Sequence, residues 1–162
     1  MPPGKRALER EKLRHLSQSK TYLISLMKYL PYQAEPPLVR LADGSVLKGT
    51  IPYCNEKEVS VRLAGPGKGL KTLRWSELDF KQFVAFFDFY MQKRLNQGTG
   101  TTTGHSSKYR QEAGEDCMRL ALLCDWYGYP DLAQEYANLA REHAPSCGQQ
   151  LSRLLPSAPK GP

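Results

Sequence analysis

A chain of 162 residues with 40% hydrophobic and 24% charged side chains can bury the core of one domain or of two small modules, the composition of a soluble globular protein rather than of a wholly disordered one. No apolar run approaches the ~20 residues of a bilayer span, and the four cysteines at 54, 117, 124 and 147 follow no disulfide framework, so a reducing, cytoplasmic setting is expected. The net charge of +7 is local: residues 1–28 carry seven basic and two acidic side chains, against 16 and 14 in the remaining 134.

Residues 1–37 read as a basic arm leading into a helix. Pro2, Pro3 and Gly4 predict a frayed start over residues 1–6. From Ala7 to Leu30 the pattern is helical, with Leu16, Leu23, Met27 and Leu30 on one stripe and Tyr22, Leu26 and Tyr29 beside it, until Pro31 forbids continuation. Ser17, Gln18 and Ser19 weaken the middle and suggest two short helices. The apolar second half is expected to dock on the body, and the charged first half to project. The apolar stretch from Thr21 to Met27 is cut by Lys28, and Tyr32-Gln33-Ala34 is a poor cleavage site, which argues against an export signal.

Residues 38–75 predict a small, strongly curled antiparallel unit of about four strands. Leu38–Leu41 and Ser45–Ile51 flank Asp43-Gly44, a pair suited to a two-residue hairpin turn. Gly49 signals a bulge or bend, and Pro52 ends or edges the second strand. Val59, Val61 and Leu63 alternate with Ser60 and Arg62 in the third strand, and after a loop over Ala64–Gly69 the fourth runs from Leu70 to Trp75. The run LVRLADGSVLKGTI, behind a basic helix, resembles the first hairpin of the Sm-like barrel family. That resemblance implies an RNA-binding barrel, but the residues depart from it: Tyr53-Cys54-Asn55 stands where the family has an aromatic-Asp pair followed by a base-holding Asn, and Arg74-Trp75 stands where it has Arg-Gly.

Residues 76–95 predict a long aromatic helix that organises the chain. All five phenylalanines lie in it, at 80, 83, 86, 87 and 89. Ser76 with Asp79 reads as its start. Phe80, Phe83, Val84, Phe87 and Met91 form one apolar stripe and Phe86 and Phe89 a second flank, so a sheet is expected on one side and a helical hairpin on the other. A lipid- or partner-binding face is the alternative use of the same residues.

The Gly/Thr/Ser tract over 96–109 predicts a flexible linker. Gly98, Gly100 and Gly104 do not make a phosphate-binding loop, because His105 stands where lysine is required and a helix precedes. Residues 110–155 predict a helical hairpin finished by a short helix over 148–155, and 156–162 a disordered tail. Within it, Leu120-Ala121, Gly128, Ala133, Ala140 and Pro145 occupy positions that resemble a single tetratricopeptide repeat, although Cys117, Cys124 and Ala137 replace its aromatic residues. The resemblance implies close-packed antiparallel helices and a protein- or peptide-binding role. The whole describes an α+β fold, and resembles bacterial modules attached to larger proteins.

No catalytic constellation can be assembled. His15, His105 and His143 have no acid or nucleophile at a meaningful spacing, and Asp125 beside Trp126 and Tyr127 reads as a helix end. Cys117, Cys124, His143 and Cys147 are zinc-type ligands, but seven helical residues separate Cys117 and Cys124 by about 10 Å, so no metal and no cofactor is expected. Trp75 and Trp126 read as packing residues at junctions. The expectation is a non-catalytic interaction or scaffold module with a protein or peptide partner. The alternative is an RNA- or DNA-binding protein using Lys5, Arg6, Arg10, Lys12 and Arg14 of the arm with Arg62 and Arg74, and beside them Arg40, Lys48 and Lys71, on the outer face of the sheet.

Overall fold

A computed structural model describes residues 3–97 and 103–155. Along the chain run α1 (Pro3–Tyr29), β1 (Leu38–Arg40), β2 (Val46–Cys54), β3 (Glu58–Leu63), β4 (Leu70–Arg74), a 3-10 turn (Trp75–Glu77), α2 (Phe80–Gln97), α3 (Thr103–Trp126), α4 (Pro130–His143) and α5 (Cys147–Leu154). The fold is α+β, with one antiparallel sheet in the order β1-β2-β3-β4. The chain forms two compact units, one of Thr21–Tyr90 and one of Met1–Lys20 with Met91–Pro162.

In the sheet-bearing unit, the inward positions Val39, Ile51, Cys54, Val59, Val61 and Leu73 are buried. The β1–β2 turn has three residues rather than two. Leu41 and Ser45 pair, Gly44 N–H returns to Leu41 O, and only Gly44 takes a positive φ, of 87°, so the Asp43 backbone stays in an ordinary region while its carboxylate accepts from Ser45 N–H. Gly49 permits close approach: a Cβ there would lie 2.2 Å from the Arg62 carbonyl oxygen. The register irregularity falls instead between Thr50 and Tyr53, around Pro52, which therefore sits inside β2 without breaking a ladder bond. Beyond β4 the backbone returns to β1, with Leu78 bridging Leu41, Ala42 N–H donating to Glu77 O and Asp79 N–H to Arg40 O. The turn that follows β4 is thus tied to the end of β1 by one isolated bridge and two backbone bonds, while β1 and β4 share no ladder.

The helix after that turn starts at Asp79, not Ser76. Asp79 Oδ1 accepts from Lys81 N–H and its carbonyl from Phe83 N–H, the N-cap role, while Ser76 is spent in the 3-10 turn. Phe86 and Phe87 are fully buried, and Phe80, Phe83 and Phe89 half-buried. Tyr32 sits edge-on between Phe86 and Phe89 at 4.7 and 5.0 Å, and Phe83 between Trp75 and Phe87 at 6.1 and 5.4 Å. Gln82 accepts Arg40 N–H at 2.9 Å through its buried side chain, and the Tyr90 hydroxyl donates to Leu30 O. From α1, Leu23, Ile24 and Met27 belong to this core, whereas Leu30 and Tyr29 of the expected stripe are exposed. Pro31 stops the helix, so Leu30 falls just past its end, while Tyr29 is the last residue of α1 and turns outward.

The second unit is helical. α3 is buried around nearly its whole circumference from Asp116 to Cys124, which makes it the centre of this unit. Across from it α4 presents Ala133, Tyr136, Ala137 and Ala140, a stripe of mainly small buried residues, and α5 adds Cys147, Leu151 and Leu154. Ala137 is small where the resembled repeat is aromatic, and it is fully buried against neighbours at close range. Met91 of α2 meets Cys117, sulfur to sulfur, at 3.1 Å.

Three boundaries differ from the sequence reading. α1 is one continuous helix that includes Pro3–Arg6, because Ser19 bonds back to His15 O at 2.7 Å instead of breaking the turn. The first half of α1 does not project: His15 and Ser19 are buried, and Glu11 pairs with Arg153 of α5. The expected linker 96–109 is helical at both ends, in α2 through Gln97 and in α3 from Thr103, since Thr and Ser in a first turn cost little helix propensity. Its central residues 98–102, with Gly98 and Gly100, and the expected tail 156–162 lie outside the described residues.

Candidate functional site

The tip of the α3–α4 hairpin combines a rigid turn with exposed aromatics. Gly128 takes φ of 82°, its N–H returns to Asp125 O at 3.2 Å, and Tyr129 N–H reaches back to Cys124 O at 2.8 Å. These two bonds form a Schellman cap, which needs a residue without Cβ at the left-handed position. Pro130 then begins α4 with φ already suited to a helix. Just before this cap stand Trp126 and Tyr127, each 59% exposed. Asp125 and Asp131 are exposed on either side, and Glu135 lies one turn further along α4.

Trp126 therefore does not serve the packing role read from the sequence. Helix α3 has no inward position left for it: Leu122, Leu123 and Cys124 already fill the core, and the cap turns the chain at once. Trp75 does pack, half-buried, with its indole N–H donating to Asn55 O at 2.8 Å. The position of the aromatic pair immediately before the turn glycine was the available signal.

The candidate basic residues separate into two sets. Lys5, Arg6, Arg10, Lys12 and Arg14 lie on α1 in the helical unit, and Arg62 and Arg74 on β3 and β4 in the sheet-bearing unit. On the sheet, Arg62 stands between Thr50 and Leu70, and Arg74 is opposite Glu58. Lys71 pairs with the inward Val61, so its register places it on the face opposite to Arg62 and Arg74. Arg40 in β1 and Lys48 in β2 are exposed residues. Asn55 Oδ1 accepts from Lys57 N–H and Glu58 N–H in the β2–β3 turn, which commits it to the backbone rather than to a base.

On α1, His15 faces inward to Gln150 at 3.2 Å. Burial lowers its pKa from the usual 6.5, Arg14 adds to this, Glu11 opposes it, and Arg119 and Arg153 lower it further. Folding thus favours the neutral ring. The unfolded chain binds more protons between pH 6.5 and the lower folded value, so stability is full above 6.5 and falls as the pH drops through that window. Urea unfolding at a series of pH values is expected to show this decline, and His15→Gln, which keeps a polar partner for Gln150 but cannot titrate, to flatten it.

The four cysteines are buried thiols outside any disulfide, and burial raises the thiol pKa of Cys54 and Cys147, a setting for packing rather than for a nucleophile. Among the described residues, no three His, Cys, Asp or Glu side chains converge as a metal site would need, and no helix is long and apolar enough to cross a membrane. Comparison with protein-family models, curated proteins and solved structures returns no match.

Proposed function

We propose that the chain is a non-catalytic protein-interaction module that engages its partner through the α3–α4 tip. The observation that carries this reading is the pair Trp126 and Tyr127, held in the open beside a capped turn. Trp and Tyr dominate the energetic centres of protein interfaces, because they bury large area at small entropic cost. A site on a fixed turn also avoids the cost of ordering a loop on binding. The faces of the repeat-like helices are a weaker place for a partner, because α5 touches both α3 and α4 and buries its own Leu151 and Leu154. Asp125 and Asp131 favour a partner surface with an apolar pocket rimmed by basic residues.

The test is affinity capture and cross-linking with the wild type and with Trp126→Ala/Tyr127→Ala. The wild type should retain a protein at stoichiometric yield, and the variant should bind it about 30-fold or more weakly, the loss of a ~2 kcal/mol anchor. Equal retention by both proteins, or recovery of nucleic acid alone, would overturn the reading.

A further inference from the structure

The outward face of α1 carries a charge pattern that the tip does not use. Between residues 3 and 20 there are six basic and two acidic side chains, whereas residues 103–155 carry five basic and seven acidic. Arg6, Arg10 and Arg14 follow one another at i, i+4 and i+8, so they form a single ridge with a step of about 6 Å along the helix axis. All three are exposed, and Leu8, Glu11, Lys12 and His15 occupy the covered or partly covered side. Two acids against six bases leave the segment strongly positive. Glu11 is paired with Arg153 at 2.5 Å, which leaves Glu9, one turn from both Lys5 and Arg6, as the one acid beside the ridge.

Three guanidiniums held this way by a docked helix are complementary to a regular line of negative charge. A nucleic-acid strand offers one phosphate per ~3.4 Å of axis, so each arginine on a ~6 Å step can reach a separate phosphate. An anionic membrane fits less well. An interfacial helix needs an apolar face turned outward, and on this side of α1 Leu13, 51% exposed, is the one large apolar residue in the open.

We infer that the Arg6–Arg10–Arg14 ridge of α1 is a binding site for the phosphate backbone of nucleic acid, engaged without reading base sequence. The sheet arginines are not part of it. Arg62 and Arg74 belong to the other unit, and Arg74 faces Glu58 across the ladder. This site is independent of the aromatic tip, so the two proposals fail separately.

Fluorescence anisotropy with a labelled 30-base-pair duplex and with a single strand of the same length tests it, on the full chain. With three phosphates neutralised, log K should fall against log salt with a slope of about −2.7 on the duplex and about −2 on the single strand. Between 50 and 200 mM salt the duplex affinity should therefore weaken about 40-fold. The variant Arg6→Gln/Arg10→Gln/Arg14→Gln should lose binding at 50 mM salt, and Arg62→Gln/Arg74→Gln should bind as the wild type does. Unfolding midpoints will show that the first variant is folded, since the three side chains are exposed and glutamine is a good helix former. Binding that ignores salt, or survives in the first variant, would overturn the inference. So would no binding to either nucleic acid, or binding only to vesicles containing phosphatidylglycerol.

Discussion

Gly114→Val is expected to destabilise the protein by about 3 kcal/mol, the upper end of the overpacking range. A Cβ on residue 114 would lie 2.3 Å from Ala144 Cβ, 2.9 Å from Ala144 N and 3.2 Å from Ala140 O. Two of these atoms are backbone, at the end of α4 where Ala144 N–H is already bonded to Ala140 O at 2.9 Å. They cannot swing aside like a long side chain, so α3 and α4 must separate. Separation would open the stripe of Ala133, Ala137 and Ala140, which contacts its neighbours only because the helices are close. Gly148→Ala is the matched control: its Cβ would meet only Arg141 Cγ, at 4.0 Å, so α5 should gain the ~0.5–1 kcal/mol of helix propensity that glycine forgoes. Urea unfolding midpoints at unchanged slope measure both. If Gly114→Val is as stable as the wild type, the close approach of the two helices is wrong.

How much of this was legible depended on whether local chemistry or tertiary placement decided the outcome. Val59 and Val61 alternate with polar neighbours, so the third strand could be read directly, and the Phe spacing placed α2 within a few residues. Gly128 before Tyr129-Pro130 fixed the interhelix turn, since few residues other than glycine tolerate its backbone angles. The three-residue β1–β2 turn was less readable because Asp-Gly suits two loop lengths, and pairing register decides between them. Pro52 looked like a strand end because a bulge one or two residues away leaves no mark of its own in the sequence. The first half of α1 was misread for another reason. Its contacts to α5 are polar, through Glu11 with Arg153 and His15 with Gln150, and apolar periodicity cannot report a helix that docks by such groups.

For the candidate sites the balance reverses. Charge counting found the basic arm, but only its helical placement separates Arg6, Arg10 and Arg14 as a ridge from Lys12 on the partly covered side. Composition suggested that Trp126 packs, as most tryptophans do. Its exposure follows from a core completed by Leu122, Leu123 and Cys124, which no count of residue types contains.

The aromatic helix decides the wider account. If its rings are core, binding falls to the tip and the arginine ridge; if they line a ligand face, the sequence has a different use. Phe86 is 0% exposed and holds Tyr32 edge-on at 4.7 Å, and Phe87 beside it is 1% exposed. Truncating such a ring removes its transfer free energy and leaves a cavity that neighbours such as Tyr32 can only partly fill, which costs about 3–5 kcal/mol. The opposite case is Tyr53, 54% exposed on β2, whose truncation should stay within about 0.5 kcal/mol. The direct measurement is therefore the urea unfolding free energy of Phe86→Ala beside Tyr53→Ala. A loss of about 3 kcal/mol or more for Phe86→Ala alone is the expected result. A loss below about 1 kcal/mol, no larger than that of an exposed residue, would contradict it and return the phenylalanines to a ligand-binding role.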